Sequence, residues 1–234
     1  MSEFWSAIAG AIVGSVVGGL ISYFLQVSGL KAAKSEREEV AAEERKALAF
    51  SLIFKMIAIV NNLGNLKLHV DECEARAAAD RHEGPPVTFL LPLVNIFDPI
   101  TIEPEAMGML LSLGADDVFN KALNIPQIHN SILPAWSAYS TMRSILNEEL
   151  PQTIDISTGK GEFAFNKKGP EALKFYEADR IAAELISRAG RDFAEADLSL
   201  NEVMTLLKDR LGLNITAKAK LPMGSITEPS PSDQ

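Results

Sequence analysis

The chain has 234 residues, of which 47% are hydrophobic and 23% charged, an ordinary composition for a domain that buries a core. Its net charge of −9 would repel a phosphate backbone, so the composition disfavours nucleic-acid binding. The single cysteine, Cys73, excludes an intramolecular disulfide and fits a reducing compartment without proving one.

The first segment has the length and composition of a membrane-crossing helix. No charged residue occurs from Phe4 to Leu30, and crossing the hydrocarbon core takes roughly 20 apolar residues. A cleaved signal peptide is the alternative, but residues 1–3 lack the positive charge that such peptides carry. The sequence therefore predicts a transmembrane helix over residues 4–27, preceded by a short extracytoplasmic tail at 1–3.

The charges that follow this segment indicate its orientation. Lys31, Lys34 and Arg37 come directly after it, whereas only Glu3 precedes it. Positive residues are retained on the cytoplasmic side of a membrane. We therefore expect a single-pass protein of the inner (cytoplasmic) membrane, with the N-terminus outside and the C-terminal domain in the cytoplasm.

Small residues recur at every fourth position of the predicted span, on one helix face. They are Ser6, Gly10, Gly14, Gly18 and Ser22. A second helix can approach closely along such a face and gain dispersion contacts. The pattern predicts a helix-packing interface, with a copy of this chain or with another protein's span; the alternative is chance, because small residues are common in spans.

Beyond the span, residues 28–48 are rich in helix formers and charges, which predicts an exposed helical stalk. From Ala49 onward the pattern changes to apolar residues at heptad spacing. The two seven-residue series are Ala49, Met56, Leu63, Val70 and Leu52, Ile59, Leu66, Cys73. A second membrane span is the alternative, but Lys55 near the middle of a short run favours a core helix.

Prolines and glycines divide the centre of the chain. Gly84-Pro85-Pro86 should stop the first helix, and residues 87–99, with two prolines, should be extended chain over the core. A short helix should begin at Pro104 and end near Gly114.

The next helices are also marked by their ends. Asp116 and Asp117 suit the start of one helix, and Pro126 suits the start of a longer one that reaches Leu150. Pro134 lies inside the longer helix and predicts a kink or a break.

The last third of the chain contains a hairpin pattern, a long helix and a polar tail. Residues 153–157 and 162–165 alternate around a turn at 158–161, which predicts either a small β-hairpin or a disordered loop. The final helix should run from Pro170 to about Leu211, with a second apolar seam. The seam consists of Ile186, Phe193, Leu200, Leu207 and Ala182, Ala189, Ala196, Val203.

The sequence contains no recognisable catalytic constellation. None of its three histidines is preceded by glutamate at the spacing of a bundle di-metal site. The motif of a phosphate-binding loop and that of a nucleophile elbow are also missing. We therefore expect no catalytic, cofactor-binding or metal-binding residues.

One polar-aromatic stretch is distinctive enough to be a candidate partner surface. It contains His129, Asn130, Tyr139 and Arg143, with Tyr139 and Arg143 one helical turn apart. The alternative is structural, with Trp136 filling the core and Tyr139 and Arg143 covering its edge.

Together these patterns predict an all-α protein: a single N-terminal transmembrane helix and a cytoplasmic helical bundle at 49–213, with two long heptad-patterned helices. Residues 214–234 should form a disordered tail. The functional hypothesis is a membrane-anchored, non-enzymatic interaction or scaffold protein that binds the bilayer and a protein partner or itself. The alternatives are an integral subunit of a transport or envelope machine and an enzyme of unrecognised type; a small-molecule ligand stays open.

Overall fold

The computed structural model describes residues 2–149, 152–155, 160–163 and 169–213; for residues 2–17, 20, 21, 152–155, 160–163 and 170 it describes the backbone alone. These residues form a predominantly helical structure, as the sequence predicts. The elements are α1 (Ser2–Ala79), α2 (Pro86–Phe89), α3 (Pro104–Ser112), α4 (Asp116–Glu149), β1 (Gln152–Asp155), β2 (Lys160–Phe163) and α5 (Pro170–Leu211).

The chain divides into two compact units, Met1–Leu48 and Ala49–Gln234. In the first unit, α1 carries a largely exposed charged segment with local ion pairs. Lys34 lies 3.8 Å from Glu38, and Lys46 lies 2.8 Å from Glu43. Such exposed pairs contribute about 0.2–0.5 kcal/mol each, so they add little to stability. Most side chains of residues 28–48 are exposed, so this segment does not bury a core of its own.

Helix α1 is long and apolar enough to cross a membrane. The apolar stretch that is long enough lies within Ser22–Ala79, and 44% of that stretch is buried inside the protein. A core helix passes the same test of length and composition. The part of the predicted span from residue 4 to residue 17 lies among the residues whose side chains are not described.

The core of the second unit begins on α1. All eight apolar positions picked out by their seven-residue spacing, from Ala49 to Cys73, are buried. Full burial of a leucine or isoleucine side chain is worth about 1.5–3 kcal/mol, so this face contributes much of the stability. The opposite face of the same segment exposes Phe50 and Phe54.

Helices α1 and α4 run parallel. Asn62 hydrogen-bonds His129, and the ring of His69 contacts that of Trp136 at a centroid distance of 5.6 Å. Seven residues separate the two contacts on both helices, so the register is maintained over two turns. Contacts between α4 and α5 run in the opposite sense: Asn124 reaches Glu195, whereas Lys174 reaches Glu149. Those two helices are therefore antiparallel.

Residues 90–100, here called the strap, return along α1 in the direction opposite to the helix. Leu91 lies beside His69, and Thr101 lies beside Lys55. Ten residues of extended chain can reach about 33 Å, whereas the 14 residues of α1 between these contacts span about 21 Å. The strap contains neither helix nor strand, in agreement with the predicted irregular chain over the core, whereas residues 86–89, predicted as part of it, form the short helix α2.

Two helix boundaries differ from the prediction. Helix α1 ends at Ala79, before the Gly84-Pro85-Pro86 stop, and Arg81 adopts a positive φ of 50° in the turn that follows. The helix expected to begin at Pro126 is part of α4, which begins at Asp116 and contains both Pro126 and Pro134. A proline inside a helix costs about 3 kcal/mol. Burial of Ala122, Ile125, Ile132, Leu133 and Trp136 on either side of the prolines offsets this cost.

The end signals of α5 agree with the prediction. The helix begins at Pro170, and Gly212 ends it with a φ of 63°, which glycine adopts without strain. Of its predicted seam, one series is buried throughout: Ala182, Ala189, Ala196 and Val203. In the other series Leu200 and Leu207 are buried, while Ile186 and Phe193 are half-buried.

Between α4 and α5, strand β1 pairs antiparallel with β2, and Ile154 lies opposite Gly161. The intervening residues 156–159 and the residues 164–168 lie outside the described part of the chain. The hairpin with its turn at 158–161 therefore stays a prediction, and so does the tail at 214–234.

Candidate functional site

The strap is attached to α4 by the side chain of Asn130. The Oδ1 atom of Asn130 accepts the backbone N–H of Ile100 at 3.0 Å, and its Nδ2 donates to the Ile100 carbonyl at 2.9 Å. One side-chain amide thus satisfies both backbone groups of Ile100, as a neighbouring β-strand would. This pairing also fixes which end of the Asn130 amide carries the oxygen.

His129 is fully buried beside this contact. Its Nδ1 lies 2.8 Å from Asn130 Oδ1, and its Nε2 lies 3.1 Å from Asn62 Nδ2. Because Asn130 presents an oxygen, Nδ1 must carry the hydrogen, and Nε2 accepts from Asn62. Burial lowers the pKa of His129 below its usual 6.5, and the Asn130 hydrogen bond opposes this only in part. The site is built for a neutral imidazole.

At the other end of the strap, His69 and Cys73 of α1 bind the backbone of Leu91. His69 Nε2 donates to the Leu91 carbonyl at 2.8 Å and lies 3.9 Å from Cys73 Sγ. The hydrogen bond with Cys73 raises the pKa of His69, while burial opposes the rise and Leu91 adds to it. Burial raises the pKa of the Cys73 thiol, but the hydrogen bonds from His69 and the Leu91 backbone outweigh it, so that pKa is lowered.

Three large side chains of α4 complete this end of the interior. Tyr139 is fully buried and donates its hydroxyl hydrogen to the Leu90 carbonyl. Burial raises the pKa of Tyr139 and lowers that of Arg143, so each is disfavoured in its charged form. Arg143 Nη1 donates to Asn147 Oδ1 at 3.1 Å. Trp136 is fully buried, and within the described residues its indole N–H has no acceptor.

A second polar cluster joins α5 to α4. Asp192 is 3% exposed, and its two carboxylate oxygens accept from Arg188 Nε at 2.9 Å and Arg191 Nε at 3.2 Å. Arg188 also donates to Ser131 Oγ at 2.7 Å. A buried carboxylate that lost these partners would be strongly destabilising, so the cluster has a clear role in holding the two helices together.

Two open grooves lie near this cluster. One, of about 450 Å³, is lined by residues of α4 and α5 that include Arg188, Arg191 and Asp192. The other, of about 480 Å³, is lined by residues 117–127 of α4. Within the described residues, no group of three or more His, Cys, Asp or Glu side chains is placed to hold a metal ion.

The structure places the candidate partner surface mostly in the interior. His129, Tyr139 and Arg143 are buried, and Asn130 is half-buried. His129 and Asn130 act together at Ile100, whereas Tyr139 and Arg143 lie about 15 Å further along α4. Asn130 and Tyr139 bind the strap, His129 supports Asn130, and Arg143 binds Asn147. The burial of Tyr139 agrees with the structural alternative, in which it packs at the core. Partner binding at these residues stays a prediction.

The predicted packing face of the span is described only at its C-terminal end. Gly18 and Ser22 are exposed, and a Cβ added at Gly18 would meet nothing within 4 Å. At Ser6, Gly10 and Gly14 the structure describes the backbone alone.

Sequence reasoning missed the residues that satisfy the buried polar groups. Asn62 lies among apolar neighbours and gives no sign that it faces His129, which is 67 positions away. Asp192 resembles an ordinary charged residue of a helix surface. Its position, three residues after the predicted seam residue Ala189, is the signal that could have placed it inward.

Comparison with known proteins identifies no relative. The chain matches no family model, no curated protein and no solved structure.

The hydrogen bonds of His129 predict a loss of stability in acid. The unfolded imidazole takes up a proton near pH 6.5, while the lowered native pKa keeps the folded one neutral. Stability should therefore be complete above pH 6.5 and fall as the pH drops from there toward the native pKa. Protonation would also turn Nε2 into a donor facing Asn62 Nδ2. Urea titrations between pH 5 and 8 should show this slope, and His129→Gln should remove it.

His69 supplies the internal comparison, because its native pKa is raised. Its stabilisation is complete below pH 6.5 and is lost as the pH rises through the native pKa, so His69→Gln should remove a fall in stability above pH 6.5 and leave the acid slope below it unchanged. An unchanged acid slope in His129→Gln would contradict the assignment of the neutral tautomer.

Proposed function

We propose that this protein is a membrane-anchored, non-enzymatic interaction or scaffold protein that presents its helical bundle in the cytoplasm. The observation that carries the proposal is the stretch from Phe4 to Leu30, which holds no charged residue and lies in the N-terminal part of α1. Further along the same helix, residues from Ala49 to Cys73 supply buried core positions to the second unit. The proposed span is residues 4–27, in the inner membrane, with residues 1–3 outside.

An exposed aromatic pair supports an interaction role. Phe54 is 68% exposed and Phe50 is 40% exposed, one turn apart on the same face of α1. Aromatic residues are enriched at protein interfaces, where the partner removes them from water. The buried face of the same helix already provides the core, so these two rings are available for a partner.

A scaffold rather than an enzyme is proposed because the titratable groups of the interior are used to hold the chain together. His129, His69 and Tyr139 each bond a backbone group of the strap or the residue that does so. Asp192 is paired with two arginines in the same way. Of these groups, Asp192 lines one of the two open grooves, and the other three line neither.

The alternative is an integral subunit of a transport or envelope machine, in which the small-residue face packs against another protein's span. Crosslinking with mass spectrometry in native membranes separates the two proposals. Crosslinks between copies of this chain alone favour self-association, and crosslinks to other membrane subunits favour the machine.

The orientation is tested by a reporter fused after the last residue. Alkaline phosphatase is active only outside the cytoplasm, where its disulfides form, so the fusion should be inactive. Replacing Lys31, Lys34 and Arg37 with Gln and placing Lys at Ser2 and Glu3 should invert the protein and activate the reporter. Activity in the unmodified protein would contradict the proposed orientation.

Self-association through the span is tested at the centre of its small-residue face. Gly14→Ile places a branched side chain where a facing backbone would approach, so self-association in a membrane two-hybrid assay should fall about tenfold. The helix would still span, because isoleucine is more apolar than glycine.

The matched control is Val16→Ile, on the bulky side of the same helix, which should change the signal little. Equal signals from Gly14→Ile and Val16→Ile would show that this face does not join copies of the chain. The crosslinking experiment then decides whether it joins a different span.

A further inference from the structure

The strap is held to the bundle by side chains. Among the described residues, no backbone–backbone hydrogen bond outside the helices involves residues 91–102. Its attachments are the Asn130 pair at Ile100, the His69 bond at Leu91, the Tyr139 bond at Leu90 and a bond from Ser140 Oγ to the Leu93 carbonyl at 3.4 Å. Just beyond the strap, Lys55 donates to the Thr101 carbonyl. An extended segment without a ladder of backbone bonds opens at lower free energy than the helices beneath it.

The outer surface of the strap is poorly buried. Val94 is 95% exposed and Leu91 is 40% exposed, whereas Leu90 is fully buried and anchors one end. Pro92 and Pro99 have no backbone N–H, so they add no donors that would need partners on the bundle. Leu93, Ile96, Phe97 and Ile100 are half-buried, so opening the strap exposes part of their apolar surface together with Leu90.

Beneath this end of the strap lie groups that gain from contact with water. Trp136 is fully buried, and its indole N–H has no acceptor within the described residues. A buried donor without a partner is unfavourable, and hydration would relieve it. Cys73, whose thiol contacts the Leu91 backbone, is only 2% exposed.

We propose that the strap is a latch: residues 90–100 open as a unit while the helices stay folded, and opening uncovers Cys73, Trp136 and Tyr139. The closed form is held by side-chain bonds to backbone groups at Leu90, Leu91, Leu93 and Ile100. The latch is a property of the bundle and does not depend on the membrane topology or on the proposed scaffold role.

Cys73 is the one cysteine of the chain, so its labelling reports opening directly. The whole chain in detergent is treated with a maleimide across a series of urea concentrations below the unfolding transition. Opening of the strap alone exposes less surface than unfolding of the whole bundle, so the labelling rate should depend less steeply on urea than global unfolding does.

Two variants loosen the latch at separate points. Tyr139→Phe removes one hydroxyl and keeps the ring, and Asn130→Ala removes both bonds to Ile100. Each should raise the labelling rate about tenfold or more, while the labelling rate keeps its lower dependence on urea than global unfolding. The matched control is Tyr176→Phe, the same change at an exposed tyrosine of α5, which should leave the labelling rate unchanged.

Three results would overturn the latch. One is a labelling rate with the full urea dependence of global unfolding, and another is a labelling rate that neither Tyr139→Phe nor Asn130→Ala raises. The third is an unlabelled thiol in the wild type and both variants under native conditions.

Discussion

Because α1 and α4 run in the same direction, the chain between them must travel back along the bundle before α4 can begin. Antiparallel helices need only a short loop, whereas this parallel pair requires a return path, and the strap with α3 provides it. The return chain is extended and lies on helices, which offer no strand edge to pair with. Its backbone groups must therefore find partners among side chains.

That requirement explains much of the interior chemistry. Asn130 satisfies both backbone groups of Ile100, and His69 satisfies the carbonyl of Leu91. His129 then supports Asn130 and is itself supported by Asn62, so the polar chain extends from the strap through α4 to α1. The two histidines have pKa values shifted in opposite directions, raised for His69 and lowered for His129, so they respond to pH in opposite senses.

The sequence predicted what depends on periodicity and on strong end signals. The buried face of α1, the start of α5 at Pro170 and its end at Gly212 all follow from local patterns. It failed at Pro126, where burial on both sides of the proline overrides the local preference for a helix start. A single residue cannot reveal how much packing its neighbours gain.

The polar interior could not be predicted for a different reason. Pairs such as Asn62 with His129 join residues far apart in sequence, and neither residue type shows which partner it has. The stretch from His129 to Arg143 was noticed for its composition, but composition does not distinguish an exposed recognition surface from an interior network. Its burial depends on the strap, whose path is set by the parallel arrangement of α1 and α4.

The account rests on the claim that side chains replace a strand partner along the strap, and hydrogen exchange at Ile100 tests that claim most directly. The Ile100 amide donates to Asn130, so in native buffer it should exchange at least about tenfold more slowly than the amide of Asn95 in the exposed middle of the strap. Asn130→Ala should abolish the difference. Equal exchange at Ile100 and Asn95 in the wild type would contradict the account.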